Sequence, residues 1–146
     1  MPTFESSTVI AAEASAVWSV LSDVVDWPRW LPTVRRVVPL DCAAMAPGAR
    51  FVVYQPKLRP ATWKVTRLEP PRRFVWEARS PGFRMLAEHV VNPQPPASSA
   101  VVLRFSFDGL LGGLMGKLFR SLIEGYLAQE AAALKLEAER CRERKA

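Results

Sequence analysis

All 13 prolines of this 146-residue chain lie at or before Pro96, and none follows. Proline fixes φ and removes a backbone donor, so it breaks helix interiors and is confined to turns and the margins of sheets. The chain therefore divides into a first part cut repeatedly by turns and a last part free to be helical. Between the turns lie strand-like runs at Phe4–Ile10, Val34–Leu40, Arg50–Gln55, Thr62–Leu68, Arg73–Arg79, Phe83–Asn92 and Val101–Asp108. Their spacing of about ten residues suits an antiparallel meander. Alternation gives them an apolar face: Phe74, Trp76 and Ala78 share one side, as do Leu103, Phe105 and Phe107.

The segment Ala14–Arg36 is the exception within the first part. Val17, Val20, Leu21 and Val24 recur at i, i+3, i+4 and i+7, the spacing of one helical face. Asp26-Trp27-Pro28-Arg29-Trp30-Leu31-Pro32 then predicts a second short helix. Asp26 suits its cap, Pro28 its first turn, and Pro32 pushes Leu31 toward an extended conformation. Trp27 and Trp30, three residues apart, form an apolar wall on one side of that turn. After Asp108 the residues Leu111, Met115, Leu118, Leu122, Ile123, Tyr126 and Leu127 keep helical spacing, continued by strong helix formers to the C-terminus. The mixed charges of Lys135–Lys145 read as a solvated end, with Glu137/Arg140 and Glu139/Arg142 as i, i+3 pairs. The expected fold is α+β: a curved seven-stranded antiparallel sheet around one long C-terminal helix, with two short helices after the first strand, over 1–146 as a single domain. A curved sheet does not pack flat on a helix, so space remains between them for the aromatic side chains to line.

The net charge of +6 raises nucleic acid as a partner. The arginines, however, are scattered, and no nucleic-acid-binding motif accompanies them, so no specific nucleic acid is expected. The first residues lack the basic start and apolar run of a signal peptide, and no stretch approaches the roughly 20 apolar residues of a membrane span. Cys42 and Cys141 show no metal spacing and read as reduced thiols, an expectation of the cytoplasm.

Several segments together resemble the SRPBCC superfamily (START-like, Bet v 1-like), in its polyketide cyclase/dehydrase-type branch. They are Ala14–Asp23, Trp27-Pro28-Arg29-Trp30, Pro47-Gly48-Ala49-Arg50, Leu68–Trp76, Glu88-His89-Val90-Val91 and Phe107-Asp108-Gly109. The resemblance implies a helix-grip fold with an internal, mostly apolar cavity. It does not imply one reaction, since such folds serve both as carriers and as enzymes. The loop Pro95-Pro96-Ala97-Ser98-Ser99 departs from the acidic and glycine residues common there.

No HExxH, GxSxG, CxxC, Walker or GxGxxG pattern occurs, so neither a metal nor a nucleotide cofactor is expected. The single histidine, His89, shares a strand face with Phe83, Met85, Ala87 and Val91, and is the candidate for proton transfer. Glu77 and Glu88 fall on the opposite face and are expected to be exposed. Trp30, Tyr54, Trp63, Trp76, Phe105, Phe107, Met115 and Phe119 are the expected cavity lining, with the tips of Tyr54, Trp63 and Trp76 able to orient a ligand oxygen. Arg50 and Arg84 are candidates to meet an anionic group at the mouth. The expected function is binding of a hydrophobic lipid, polyketide or aromatic compound. The alternatives are a polyketide cyclase or dehydratase, and a protein whose Gly109–Tyr126 segment docks on a membrane or partner. The glycines Gly109, Gly112, Gly113 and Gly116 suggest either close packing or a gate.

Overall fold

The computed structural model of the chain describes residues 2–145, with side chains to 143. Its element order is β1 (Thr3–Ile10), α1 (Ala14–Ser22), a 3-10 turn (Val24–Asp26), α2 (Trp27–Trp30), β2 (Arg36–Pro39), β3 (Arg50–Tyr54), β4 (Ala61–Glu69), β5 (Arg73–Ser80), β6 (Phe83–Gln94), β7 (Ser98–Asp108) and α3 (Gly112–Lys145). Each strand pairs antiparallel with its neighbours in the order β1-β7-β6-β5-β4-β3-β2. The sheet is a meander from β2 to β7, closed at its far edge by β1 beside β7. Pro81–Gly82 make the tight turn between β5 and β6, where Ser80 faces Phe83 and Gly82 takes a positive φ of 85°. A side chain at that φ is costly, which is why glycine follows proline there.

Curvature comes partly from a register shift in β4 between Val65 and Arg67, which puts one extra residue opposite β5 and bends the strand. The inner face carries Phe51, Val53, Trp63, Val65, Phe74, Trp76, Ala87, Val91, Val101 and Leu103, all buried. Against it lie Val17 and Leu21 of α1, Trp27 of α2, and Ile123, Leu127, Ala131, Leu134 and Ala138 of α3. This is the α+β helix-grip arrangement expected from the sequence.

Three local expectations change. Asp26 stands at the cap of α2, but its carboxylate makes no capping bond and instead receives hydrogen bonds from Arg29. The charged end of α3 is not simply solvated. Glu137 is buried between Arg29 of α2 and Arg140 one turn on, and Glu139 pairs with Lys135 rather than Arg142. The helix begins at Gly112, because Gly109 at φ 97° turns the chain after β7. A Cβ on Gly112 would lie 3.0 Å from the Phe107 carbonyl oxygen, and one on Gly116 would lie 2.5 Å from Pro2. Those two glycines let α3 approach the sheet, whereas Gly113 faces open space. No described helix is long and apolar enough to cross a membrane.

Candidate functional site

The space between α3 and the bent sheet has two adjoining parts. The inner chamber measures about 50 Å³ and is lined by Trp27, Trp63, Trp76, Leu103, Phe105 and Leu127, with His89, Glu130, Gln55 and Tyr126 among its polar members and Glu88 and Arg104 also contributing to the lining. The outer cleft measures about 550 Å³ and runs past Leu58, Phe83, Met85, Phe107 and Phe119. Both share Gln55, Trp63, Phe105 and Ile123, so the cleft adjoins the chamber. The inner part has room for a few water molecules or the end of a larger molecule. The outer part is in the range of ordinary small-molecule pockets.

His89 is held from three sides. Its ring stacks on Phe74 at 4.1 Å and 10°, and Trp27 and Trp76 stand at 5.8 and 6.0 Å. Its Nε2 lies 3.4 Å from Oε1 of Glu130, which projects from α3. The histidine side chain is 5% exposed and the glutamate 14%. His89 Nδ1 and Glu130 Oε1 are buried without a hydrogen-bond partner among the described protein atoms. Buried polar atoms of this kind call for a partner, because each one left alone costs about 1–3 kcal/mol. Glu130 faces Nε2, which leaves Nδ1 as the ring nitrogen without a protein partner among the described residues.

Trp27 closes one side of the chamber. Its indole N–H donates to the Leu21 carbonyl at 3.0 Å, which ties α2 to the end of α1 and fixes the ring edge-on to Trp76. On the other side the Tyr126 hydroxyl donates to the Pro56 carbonyl, so the loop after β3 is held against α3. Burial pushes the Tyr126 phenol up, against a smaller opposing effect of Arg35, and it stays a donor at neutral pH.

Of the residues singled out from sequence, the structure brings His89, Trp63, Trp76 and Phe105 to the chamber and Phe105, Phe107 and Phe119 to the cleft. Three stand elsewhere. Tyr54 alternates to the outer face, where it pairs across strands with Arg36 and the guanidinium sits 5.6 Å from its ring. Trp30 packs edge-on behind Trp27 at 6.4 Å, with its own N–H buried and unpartnered. Met115 packs against the core beyond the lining. Arg50 and Arg84 already have partners, Asp41 for the first and Asp108 with Glu77 for the second. Glu77 and Glu88 stand on the outer face, but neither is exposed as expected: Arg79 and Arg84 cover Glu77, Arg73 and Arg104 cover Glu88, and the two are 11% and 23% exposed.

Sequence reasoning passed over Tyr126, Gln55 and Glu130 as site residues, and read Trp27 as part of an apolar wall without naming it in the lining. Glu130 looked like any glutamate in an alanine-rich helix. Its one signal was spacing: Ile123, Leu127, Glu130 and Leu134 share a helical face, so a carboxylate interrupts an apolar stripe. No group of three or more His, Cys, Asp or Glu among the described residues could hold a metal ion.

A family model described as "Polyketide cyclase / dehydrase and lipid transport" matches residues 1–139. The chain belongs to this family. Among solved structures it is similar to the ZhuI aromatase/cyclase from Streptomyces sp. R1128, with 22% identity and a TM-score of 0.77 over 94% of this chain and 93% of that one. A START superfamily protein from Mycobacterium smegmatis shares 17% identity at a TM-score of 0.71, covering 95% and 98% of the two chains. Norcoclaurine synthase from Thalictrum flavum shares 16% at 0.75, covering 99% and 96%. At these identities the likeness is one of fold. No curated protein matches the chain by sequence.

Proposed function

We propose that this family member binds a hydrophobic small molecule of lipid, polyketide or aromatic type between α3 and the sheet, with an oxygenated end at His89 and Glu130. One observation carries the reading: the buried pair His89 and Glu130 lines an aromatic-walled chamber, with Glu130 Oε1 3.4 Å from Nε2 and with His89 Nδ1 buried without a protein partner among the described residues. The apolar body of the ligand would occupy the larger cleft. Burying about 200 Å² of apolar ligand surface at roughly 25 cal/mol per Å² gives about 5 kcal/mol before the costs of binding, so micromolar affinity, about 8 kcal/mol net, requires a larger ligand that buries more. Trp27, Trp63 and Trp76 surround the chamber, so their fluorescence reports occupancy. Titration with fatty acids and flavonoids is expected to give a saturable change. A flat response across a broad panel overturns the reading.

The His89–Glu130 pair favours a second reading, a cyclase or dehydratase. A base set beside a carboxylate in an apolar pocket suits proton abstraction next to a carbonyl. In a dehydration His89 Nδ1 takes the α-proton and returns it to the departing β-hydroxyl. The C–O bond breaks, a C=C bond forms and water leaves. Product analysis with a β-hydroxy ketone of polyketide type is its readout.

A further inference from the structure

Several features outside the chamber compete for meaning. The groove beside α1 is lined by Asp26, Arg29 and Glu137, which already satisfy one another. Cys141 Sγ lies 3.6 Å from Glu137 Oε2 and already has that partner. The start of α3 is different, because several of its leucines face outward. Leu110 is 99% exposed, Leu118 65% and Leu114 52%. Leu111, Leu114 and Leu118 fall at i, i+3 and i+7, one stripe of the helix, and Leu110 stands at the tip of the turn before it. The opposite face of the same helix carries Phe119 and Ile123 into the cleft.

The geometry points to an anionic lipid surface as the partner of this leucine stripe. The surrounding charge matches one. Lys57, Arg59 and Lys117 are exposed, and none meets a carboxylate among the described residues. Arg79, Arg84 and Arg120 stand at the same end; their partners are Glu77, Asp108 and Glu124, so cations remain in excess. Basic side chains beside exposed leucines suit an interface where apolar groups sink between headgroups and cations meet lipid phosphates. The composition argues against a protein partner. Protein interfaces concentrate aromatics and Met, and their hot spots under-represent Leu, whereas the large exposed apolar residues of this patch are all leucines, set among cations in excess. The patch also borders the cleft: Lys57 and Arg59 line its mouth, and Arg79 and Leu110 meet beside the β5–β6 turn. Docking there would open the cleft toward the bilayer, and so supply a hydrophobic ligand without crossing water. The inference rests on the proposed binding reading only for what is delivered, since lipid docking is measured on the protein alone.

The test is co-sedimentation of the full chain with vesicles of phosphatidylcholine, with and without about a third phosphatidylserine. Binding is expected only to the anionic vesicles and is expected to fall as salt rises. Leu114→Ser with Leu118→Ser, both on exposed positions, should weaken it by about tenfold or more, and Lys117→Glu should weaken it on anionic vesicles alone. Circular dichroism and the fatty-acid titration should be unchanged in these variants, which separates docking from ligand binding. Equal binding to neutral vesicles overturns the proposal. So does wild-type binding by the double serine variant. No binding to either vesicle also overturns it and leaves a protein as the occupant of the patch.

Discussion

At the scale of the residue, the site turns on how His89 is held. Phe74 covers one face of its ring, Trp27 and Trp76 flank it, and Glu130 faces Nε2. His89→Phe keeps an aromatic ring against Phe74 and removes both nitrogens. If the protein is an enzyme, this variant is expected to lose turnover by about a hundredfold or more while staying folded and still quenching with apolar probes. Unchanged turnover in the folded variant would remove His89 from the chemistry. The histidine was legible in the sequence because strand alternation set it among apolar neighbours. Its partner was not, because a helix carries glutamates on every face and only the crossing of α3 over β6 decides which one turns inward. Tyr54 shows the reverse limit. Aromatic character suggested the cavity, but the pairing of β3 with β2 fixes its phase outward beside Arg36. One position along a strand exchanges core for solvent.

At the scale of the element, α3 divides its glycines by what a methyl group would meet. At Gly125, well inside the helix, a methyl would find nothing within 4 Å, whereas at Gly116 it would run into the Pro2 ring. Gly125→Ala is therefore expected to stabilise by about 0.5–1 kcal/mol, from helix propensity alone. Gly116→Ala should give less than that or destabilise, because Pro2 must move. Urea unfolding of the two variants checks the order, and a larger gain at Gly116 than at Gly125 would show that the contact with Pro2 yields freely. Gly112 sits against the Phe107 carbonyl, so the close-packing account fits it better than a gate does. The strands themselves were readable to within a few residues, since proline and glycine mark every turn. The bend in β4 was not readable, because a bulge leaves no mark in an alternating sequence apart from one shifted residue. Without that bend the sheet would lie closer to flat and leave less room beneath α3.

At the scale of the whole molecule, the two ends of α3 are treated differently. Its first turns carry leucines to solvent, and its last turns are tied to the β1–α1 corner and to α2. Lys135 Nζ donates to the Val9 carbonyl, the Ala11 amide donates to Glu139, and Arg142 donates to the Ala11 carbonyl. Glu137 joins Arg29 of α2 to Arg140. Burial pushes the Glu137 carboxyl up, but hydrogen bonds from Arg29 and Arg140 outweigh it and hold the group below its ordinary 4.5. Glu139 is lowered as well, chiefly by the Ala11 amide and Lys135. A carboxylate whose folded pKa is depressed binds fewer protons folded than unfolded, so its stabilisation is full above 4.5 and is lost as pH falls through the folded value. Glu137→Gln keeps the shape and removes the charge. At neutral pH it is expected to cost about 1–3 kcal/mol, since hydrogen bonds to a charged group are lost while both arginines stay half in water. In acid, as pH falls below the ordinary 4.5 and through the lowered folded value, the wild-type carboxyl takes up its proton and the gap between the two proteins should narrow. Urea unfolding at neutral and acid pH measures it. A gap that holds constant from neutral to acid would mean that Glu137 contributes by packing, and that the C-terminal half of α3 is anchored by its apolar face and not by its ionic contacts with α2.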